Sequence, residues 1–550
     1  MSYLLTFQFL FSIVSWAQSI TELTSLEKHE VTNRLEQIYK FPHHPQALEL
    51  IGKKVNSASG EPVFPHPELK KYGPIEQDPL MKQAQIKATE KYRNWYCTKV
   101  LKRIWLGFSC SGFQSWASVE NEDRVADLAD TWVDKLTYDL SDIPTRGESL
   151  RPLWSDDFWP MVWGLTSYRY SQAQAFNSYR EAITSYAQPS EWLKLLLNPI
   201  EELNTQVVDW SPSEKYDLTV QDEQFSLTQE QKEEGDWYRS TEGEVEGWMG
   251  LCHGWAPASI MVERPELPVT VPGTKDSSVL WYPNDIKAMI TLAWANGSWD
   301  SNFIGRRCEQ KKIKRFPNGR ISSQDCFDTN PATFHLALGN LVGKEKASFI
   351  MDNAYDYQVW NQPVVAYEFT YFNPFDRSKQ SKDWQKVAVV YDKHFKKKDR
   401  FQKPLTRGSH LEGPSDPVTR LRRNHRPDEH IKKVVGVIAS VIYLVETSPP
   451  EHGPSPGTDL KVRDVYLYDL ELANEDGVWM ATGGEWLQNN HPDFLFVPKK
   501  GTVATHYWDS QPFDLQTVQQ ASTKTGYPLC RIIKPLVESS HEGAQYPCEP

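Results

Sequence analysis

The chain has 550 residues, enough to bury a large core, and we expect two or three structural lobes. Its hydrophobic content of 39% and aromatic content of 12%, with 21 Trp, exclude an intrinsically disordered protein. The net charge of -12 argues against a nucleic-acid partner, because phosphate binding needs a basic surface.

Residues 1–17 are predicted to be a signal peptide. Residues 4–14 are almost wholly apolar, and Ser15 and Ala17 place small residues where a cleavage site needs them. No Lys or Arg precedes the apolar run, so a buried helix of the folded domain is the alternative. No stretch approaches the ~20 apolar residues of a membrane-spanning helix. We therefore predict a secreted or periplasmic protein without a membrane span.

Residues 18–200 are predicted to form a helical N-terminal region. Apolar residues recur at helical spacing in 83–96, 125–136 and 171–197, with Pro-rich joints between them. The aromatic segment 154–160, Trp-Ser-Asp-Asp-Phe-Trp-Pro, lies in the same region. Such a segment could stack on a sugar, but packing between lobes is the commoner use of these residues.

Residues 201–395 are predicted to hold a catalytic core centred on Cys252. Gly247 and Gly250 precede this cysteine and small residues follow it, which favours a tight turn and then a helix packed closely on a sheet. A thiol at a helix N-terminus faces unpaired N–H groups and the positive end of the helix dipole, and both lower its pKa. The alternative is a buried, inert cysteine.

A thiol nucleophile needs a base, and the base needs a group that orients it. His335 lies in the apolar run 333–341, which is predicted to be a strand, and Asp352 ends the next apolar run. Two strands joined by a turn would place His335 and Asp352 side by side. The sequence therefore predicts a triad of Cys252, His335 and Asp352.

Residues 396–550 are predicted to be a β-rich region that completes the core sheet. A helix over 285–295, capped by Asn284, precedes the strands. The residues around Asp476-Gly477 predict a hairpin, and the basic segment 396–433 predicts a solvated loop. The predicted strands that follow the run 333–341 are 347–351, 364–372, 387–391, 434–445, 465–472 and 478–486.

The seven cysteines suit an oxidising compartment. Six of them are close neighbours in sequence, so the predicted pairs are Cys97–Cys110, Cys308–Cys326 and Cys530–Cys548, although other pairings stay open. Each bridge would contribute about 3 kcal/mol on the chain-entropy model. Cys252 is the cysteine left over.

Several segments resemble the oomycete transglutaminase elicitors, which are secreted protein-glutamine γ-glutamyltransferases with bacterial relatives. Four of these segments are 213–218, 249–258, 483–486 and 491–494. A further segment is similar to the start of the surface peptide by which plants detect the elicitors. That last segment consists of Val359, Trp360, Asn361, Gln362, Pro363 and Val364. After it, Val365-Ala366-Tyr367 replaces the basic, glycine-containing continuation of the family.

The resemblance implies an α+β fold with a papain-like, transglutaminase-like core, and Cys252 as nucleophile with His335 and Asp352 as its partners. Cys252 would form a thioester with a protein glutamine and pass the acyl group to a lysine amine of a protein acceptor. The backbone N–H of Cys252 would bind the oxyanion. Trp248 and Trp360 are candidates for a second donor and, together with Trp255, for excluding water.

Two other functions stay open. A cysteine protease or amidohydrolase would share every step up to the thioester, and a non-enzymatic surface or recognition protein would retain the site without its activity. His491, with Pro492 and Asp493 beside Trp486, is the alternative base. The chemistry requires no cofactor and no metal motif is present, but a Ca²⁺ site built from scattered carboxylates stays open, since some transglutaminases use one.

Overall fold

The computed structural model describes residues 119–120, 123–169, 210–272, 278–310, 313–314, 321, 323–354, 357–374, 376–391, 430–447, 459–487, 491–525, 528–541 and 546. Several predictions fall outside these residues: the signal peptide 1–17, the helices 83–96 and 171–197, nearly all of the basic segment 396–433, and Cys97, Cys110 and Cys548.

Helices and strands alternate irregularly along the described residues, which confirms a mixed fold of helix and sheet. The α-helices are α1 Val125–Ala129, α2 Pro212–Thr219, α3 Ser226–Glu233, α4 Asp236–Glu242, α5 Cys252–Met261, α6 Pro283–Asn296, α7 Pro331–Ala337, α8 Leu515–Thr525 and α9 Cys530–Ser540. The strands are β1 Arg146–Glu148, β2 Val269–Pro272, β3 Ser278–Trp281, β4 Ser301–Gly305, β5 Ile350–Asp352, β6 Asn361–Asn373, β7 Asp376–Ser381, β8 Val389–Val390, β9 Lys433–Val445, β10 Leu460–Glu475, β11 Val478–Trp486 and β12 Phe494–Pro498.

One antiparallel sheet of ten strands forms the centre of the fold. Its order is β11-β10-β9-β6-β5-β12-β4, with β1 and β7 paired to β6 and β8 paired to β9. Strands β6 and β9 are buried along nearly their whole length, in keeping with their continuous runs of β-branched and aromatic residues. Strand β6 pairs with β9 from Val364 to Phe372. The predicted core 201–395 and the predicted C-terminal region 396–550 therefore contribute strands to one sheet.

Helix α5 crosses α6 and also contacts β6. A Cβ at Gly254 would collide with the backbone oxygen of Thr291 and lie 2.6 Å from the Cβ of Ala295, both on α6. The glycine therefore lets the two helix backbones approach closely. The predicted close packing is present, but the partner at this glycine is a helix instead of a sheet.

The predicted strand 333–341 is wrong, because these residues are helical. Helix α7 begins after Asn330, whose side chain accepts a hydrogen bond from the Ala332 N–H, and Pro331 occupies its first turn. A π-helix, Leu338–Lys344, continues it. Apart from the exposed Lys344, both segments are buried on all sides, so their sequence carries no amphipathic period that would separate helix from strand.

Other predicted elements are correct with shifted ends. The hairpin β10–β11 is confirmed, and its turn residues Asp476 and Gly477 have φ of 50° and 90°, as a tight hairpin turn requires. Helix α6 begins at Pro283, so Tyr282, and not Asn284, is its cap residue. Helix α1 ends at Ala129, earlier than the predicted 136.

The cysteines follow the predicted pattern where the structure describes them. Cys308 and Cys326 form a disulfide, which confirms that pair. Cys530 is also disulfide-bonded, and Cys252 is the free cysteine of the described residues. Within these residues, no helix is both long and apolar enough to cross a membrane.

Candidate functional site

Cys252 is the first residue of α5, as the sequence predicted, and it is 5% exposed. The turn before it is fixed by the segment 154–160, since the Leu251 N–H donates to the Phe158 carbonyl at 2.5 Å. A Cβ at Gly250 would collide with that same carbonyl. Gly250 is therefore required by a close approach of two backbone segments.

The sulfur of Cys252 contacts two residues of the segment 359–361. The thiol lies 3.7 Å from the carbonyl oxygen of Val359, to which it can donate. The side-chain amide of Asn361 donates to the sulfur with an Nδ2–Sγ distance of 3.5 Å, and the backbone N–H of Asn361 donates to it as well. The segment that resembles the recognition peptide thus lies directly on the predicted nucleophile.

Two carboxylates act electrostatically on this thiol. Asp352 pairs with Asn361 across β5 and β6, and its Oδ1 accepts hydrogen bonds from the N–H groups of Trp360 at 2.9 Å and Ala354 at 3.1 Å. Glu446, just after β9, accepts two hydrogen bonds of 3.0 Å from the side-chain amide of Gln362. The site therefore gathers side chains from α5, β5, β6 and the end of β9.

The expectation of a lowered thiol pKa is wrong for the protein without substrate. Burial, followed by the negative charges of Glu446 and Asp352, raises the pKa of the Cys252 thiol to about 12, while the donors of Asn361 act in the opposite direction. The helix N-terminus, like Asn361, lowers the pKa of the thiol, but the increase caused by desolvation is larger than both effects. Cys252 is thus a neutral thiol at rest.

His335 is not beside Cys252 or Asp352, because it lies on α7 and not on a strand next to β5. Its Nδ1 is 2.9 Å from the Tyr468 hydroxyl, and its ring stacks on Phe369 with centroids 3.9 Å apart. Phe369 follows Asn361 by eight positions on β6, which corresponds to roughly 25 Å of strand. Burial lowers the pKa of His335 to about 3, so its ring is neutral.

The three tryptophans have different surroundings. Trp255 is fully buried, and its indole N–H donates to the carbonyl of Trp154 at 2.9 Å, so it belongs to the core. The indole N–H of Trp248 donates to Glu246 at 2.7 Å, and that of Trp360 donates to Gln358 at 3.2 Å. All three donors therefore have protein acceptors.

The aromatic segment 154–160 packs inside the molecule and forms one side of the site. Trp154 and Trp159 are fully buried, and Asp156 accepts hydrogen bonds from Trp159 at 2.9 Å and from Thr291 of α6 at 2.8 Å. Phe158 is half-buried, with its ring 5.5 Å from that of Trp360. This arrangement is that of internal packing and not of a sugar platform.

His491 belongs to a separate cluster. Its Nδ1 is 3.6 Å from Asp328, its ring stacks on Trp486, and donor atoms of Asp328, His491 and Asp493 lie within 4.8 Å of one another. All three residues are buried. An imidazole with two carboxylates suits Zn²⁺ or Mn²⁺ better than Ca²⁺, which prefers six or more oxygen ligands. Among the residues that the structure describes, these three form the set that could hold a metal.

The sequence by itself predicts no chemical role for three polar residues of the site: Asn361, Gln362 and Glu446. In the sequence, Asn361 and Gln362 stand out only as part of the segment that resembles a recognition peptide. Glu446 follows a predicted strand directly and carries no motif. The pairing of β6 with β9, which brings these side chains together, cannot be derived from local spacing.

Comparison with known proteins gives a family and one distant structure. The sequence model of the family described as Transglutaminase elicitor matches residues 124–397. Among curated proteins, no sequence matches. The crystal structure of the GP42 transglutaminase from Phytophthora sojae is similar at 20% identity and a TM-score of 0.44, covering 74% of this chain and 99% of that one. A TM-score this low does not establish a shared fold.

Proposed function

Because residues 124–397 of the chain belong to the transglutaminase elicitor family, we propose that the protein is a protein-glutamine γ-glutamyltransferase with Cys252 as its nucleophile. One observation supports this most strongly. Inside the matched region, a free thiol begins a helix and accepts hydrogen bonds from the amide donors of Asn361. Its substrates are a glutamine donor and a lysine acceptor on proteins.

The proposed cycle has two acyl transfers. The Cys252 sulfur attacks the side-chain amide of a glutamine, an S–C bond forms, and ammonia leaves with the thiol proton. A lysine amine then attacks the thioester, the S–C bond breaks, and one amine proton returns to sulfur. The backbone N–H of Cys252, in the first turn of α5, donates to the oxyanion of each tetrahedral intermediate.

Proton transfer in this proposal relies on carboxylates and not on His335. Glu446 acts on the Cys252 thiol electrostatically, and burial raises the pKa of Glu446 above its usual range, which suits a proton acceptor for a neutral thiol. Asp352 accepts a hydrogen bond from the N–H of Trp360, the residue after Val359, whose carbonyl oxygen contacts the sulfur. His335 packs in the core at the far end of β6.

The wider setting is proposed with the activity. The site would occupy a papain-like core, half-closed by Phe158, Trp248 and Trp360, which limits the access of water to the thioester. The disulfide Cys308–Cys326 supports an oxidising compartment, so we place the protein outside the cell or in a periplasm. No cofactor takes part in the cycle.

Mass spectrometry of a glutamine peptide incubated with a primary amine tests the function. Transfer gives a product with the mass of both reactants minus one ammonia, and Cys252→Ala gives none. If wild type converts the glutamine to glutamate or cuts the peptide backbone, the protein is a hydrolase. If wild type leaves the peptide unchanged, the transferase proposal fails.

A second candidate is a non-enzymatic recognition protein, and the raised pKa of Cys252 is the observation that favours it. The rate of reaction with iodoacetamide separates the two in the presence of a glutamine peptide. A catalytic thiol becomes protected by acylation, whereas an inert one reacts slowly at the same rate with and without the peptide.

A further inference from the structure

Asn361 directs two N–H donors at one sulfur. Its side-chain Nδ2 lies 3.5 Å from Cys252 Sγ, and its backbone N–H donates to the same atom. An oxygen on a carbon bonded to Sγ would lie close to these donors. Donors in such a position stabilise the charge that develops when sulfur attacks a carbonyl carbon.

The side chain of Asn361 is held rigidly. It is 2% exposed, and its backbone begins β6 in register with Asp352 of β5. The residue before it donates its N–H to Asp352, and the residue after it donates its side-chain amide to Glu446. Both neighbours are therefore anchored, so the amide needs little reorganisation when a substrate arrives.

The other end of the same amide has an unused acceptor. Asn361 Oδ1 is buried and has no hydrogen-bond partner within the described part of the chain. A buried amide oxygen without a donor loses the hydrogen bonds that water would give it, which costs free energy. A ligand that supplies an N–H group, such as an amide or an amine, would remove this cost.

We propose that Asn361 is a catalytic residue whose side-chain N–H is the second oxyanion donor of the Cys252 site and whose Oδ1 accepts from the departing or incoming nitrogen. The inference rests on the proposed acyl-transfer function and deepens it. Trp248 and Trp360 do not fill this role, because their indole N–H groups donate to Glu246 and Gln358. Asn361 gives up no proton, and the electron pair of the C=O bond moves to oxygen as the S–C bond forms.

Two reactions of the same thiol separate this role from a structural one. Alkylation by iodoacetamide depends on the thiolate fraction and on access, but it generates no oxyanion on a carbonyl. Acylation by p-nitrophenyl acetate needs the same thiolate and, in addition, oxyanion stabilisation. The ratio of the acylation rate to the alkylation rate, after subtraction of the Cys252→Ala background, therefore isolates the oxyanion contribution.

In Asn361→Ala we expect this ratio to fall about 100-fold, the usual effect of removing one oxyanion donor. Asn361→Asp keeps the shape of the side chain but removes the donor, and the ratio should fall at least as far. The matched control is Asn474→Asp, on the half-exposed end of β10, which should leave the ratio unchanged. Circular dichroism of each variant reports whether it folds.

An unchanged ratio in a folded Asn361 variant overturns the proposal, as does a parallel loss of both rates. If Asn361→Ala does not fold, the measurement on the isosteric Asn361→Asp variant decides. If neither variant folds, Asn361 is a structural residue and the inference is wrong. A wild-type protein that is acylated by the ester but incorporates no amine would refute the transferase function and leave the role of Asn361 standing.

Discussion

At the scale of single residues, the reactivity of Cys252 is set by opposing contributions to one thiol pKa. The helix N-terminus and Asn361 stabilise the thiolate, whereas burial and two carboxylates favour the thiol. Burial dominates in the protein without substrate.

The first prediction concerns Glu446. Glu446→Gln removes a negative charge near the sulfur, which lowers the Cys252 thiol pKa and should raise the alkylation rate at pH 8 by about threefold to tenfold, since one pKa unit is tenfold in thiolate. Amine incorporation should fall in the same variant, because the proton acceptor is gone. The exposed Glu345→Gln is the control. A slower alkylation in Glu446→Gln would contradict the electrostatic account.

The second prediction concerns His335 and the pH dependence of stability. Burial lowers its folded pKa to about 3 from an ordinary 6.5, so below pH 6.5 the unfolded chain binds the proton that the folded chain excludes. Stability is therefore lost as pH falls, by about 2 kcal/mol from this residue between pH 7 and pH 5.

Urea unfolding of wild type and His335→Gln at both pH values measures this difference. The variant should lose about 2 kcal/mol less than wild type on acidification. It should also keep the wild-type rate of amine incorporation, whereas a collapse of that rate in the folded variant would restore His335 as the catalytic base.

At the scale of elements, the crossing of α5 and α6 depends on Gly254. Gly254→Ala places a methyl group against the backbone of Thr291 and the side chain of Ala295, so the helices must separate. We expect a loss of about 1–3 kcal/mol in the free energy of unfolding, measured in denaturant. At Gly247 a new Cβ meets nothing within 4 Å, so Gly247→Ala is the control. Equal stability of the two variants would contradict this packing.

Local chemistry made part of the fold predictable from sequence. The hairpin turn needs two residues at positive φ, which Asp476-Gly477 supplies, and the start of α5 at Cys252 follows from the glycines before it and the small residues after it. The run around His335 carries no such local marker, because a helix buried on all sides and a buried strand have the same apolar composition.

Within this candidate site, the sequence indicates only Cys252 and Asp352, since one is the cysteine left over from the pairs and the other ends an apolar run. Asn361 and Glu446 meet them through the pairings of β5 with β6 and of β6 with β9, between segments far apart in sequence. The error at His335 came from assuming that neighbouring apolar runs pair with each other.

At the scale of the whole molecule, the sheet depends on both halves of the chain. Strand β6 is buried between β9 on one side and β5, β1 and β7 on the other. Strand β9 in turn joins β10 and β11 to this centre. Removal of the second half would expose a long apolar edge on β6, which is unstable and prone to aggregate.

The fourth prediction follows from this dependence. A chain ending at residue 395 should show no cooperative thermal unfolding transition by circular dichroism, and it should not incorporate amine, because it lacks both β9 and Glu446. The full-length protein is the control. A truncated chain that melts cooperatively would show that the first half folds by itself.

The burial of segment 359–364 limits how any receptor could recognise it. Val359 and Trp360 are partly accessible, whereas Asn361, Gln362, Pro363 and Val364 are interior residues at the beginning of a central strand. A binder of the intact protein would contact only the first two. Recognition of the complete hexapeptide would require a denatured or proteolysed molecule, so an immune receptor that reads all six residues would respond to the breakdown of this protein and not to its native form.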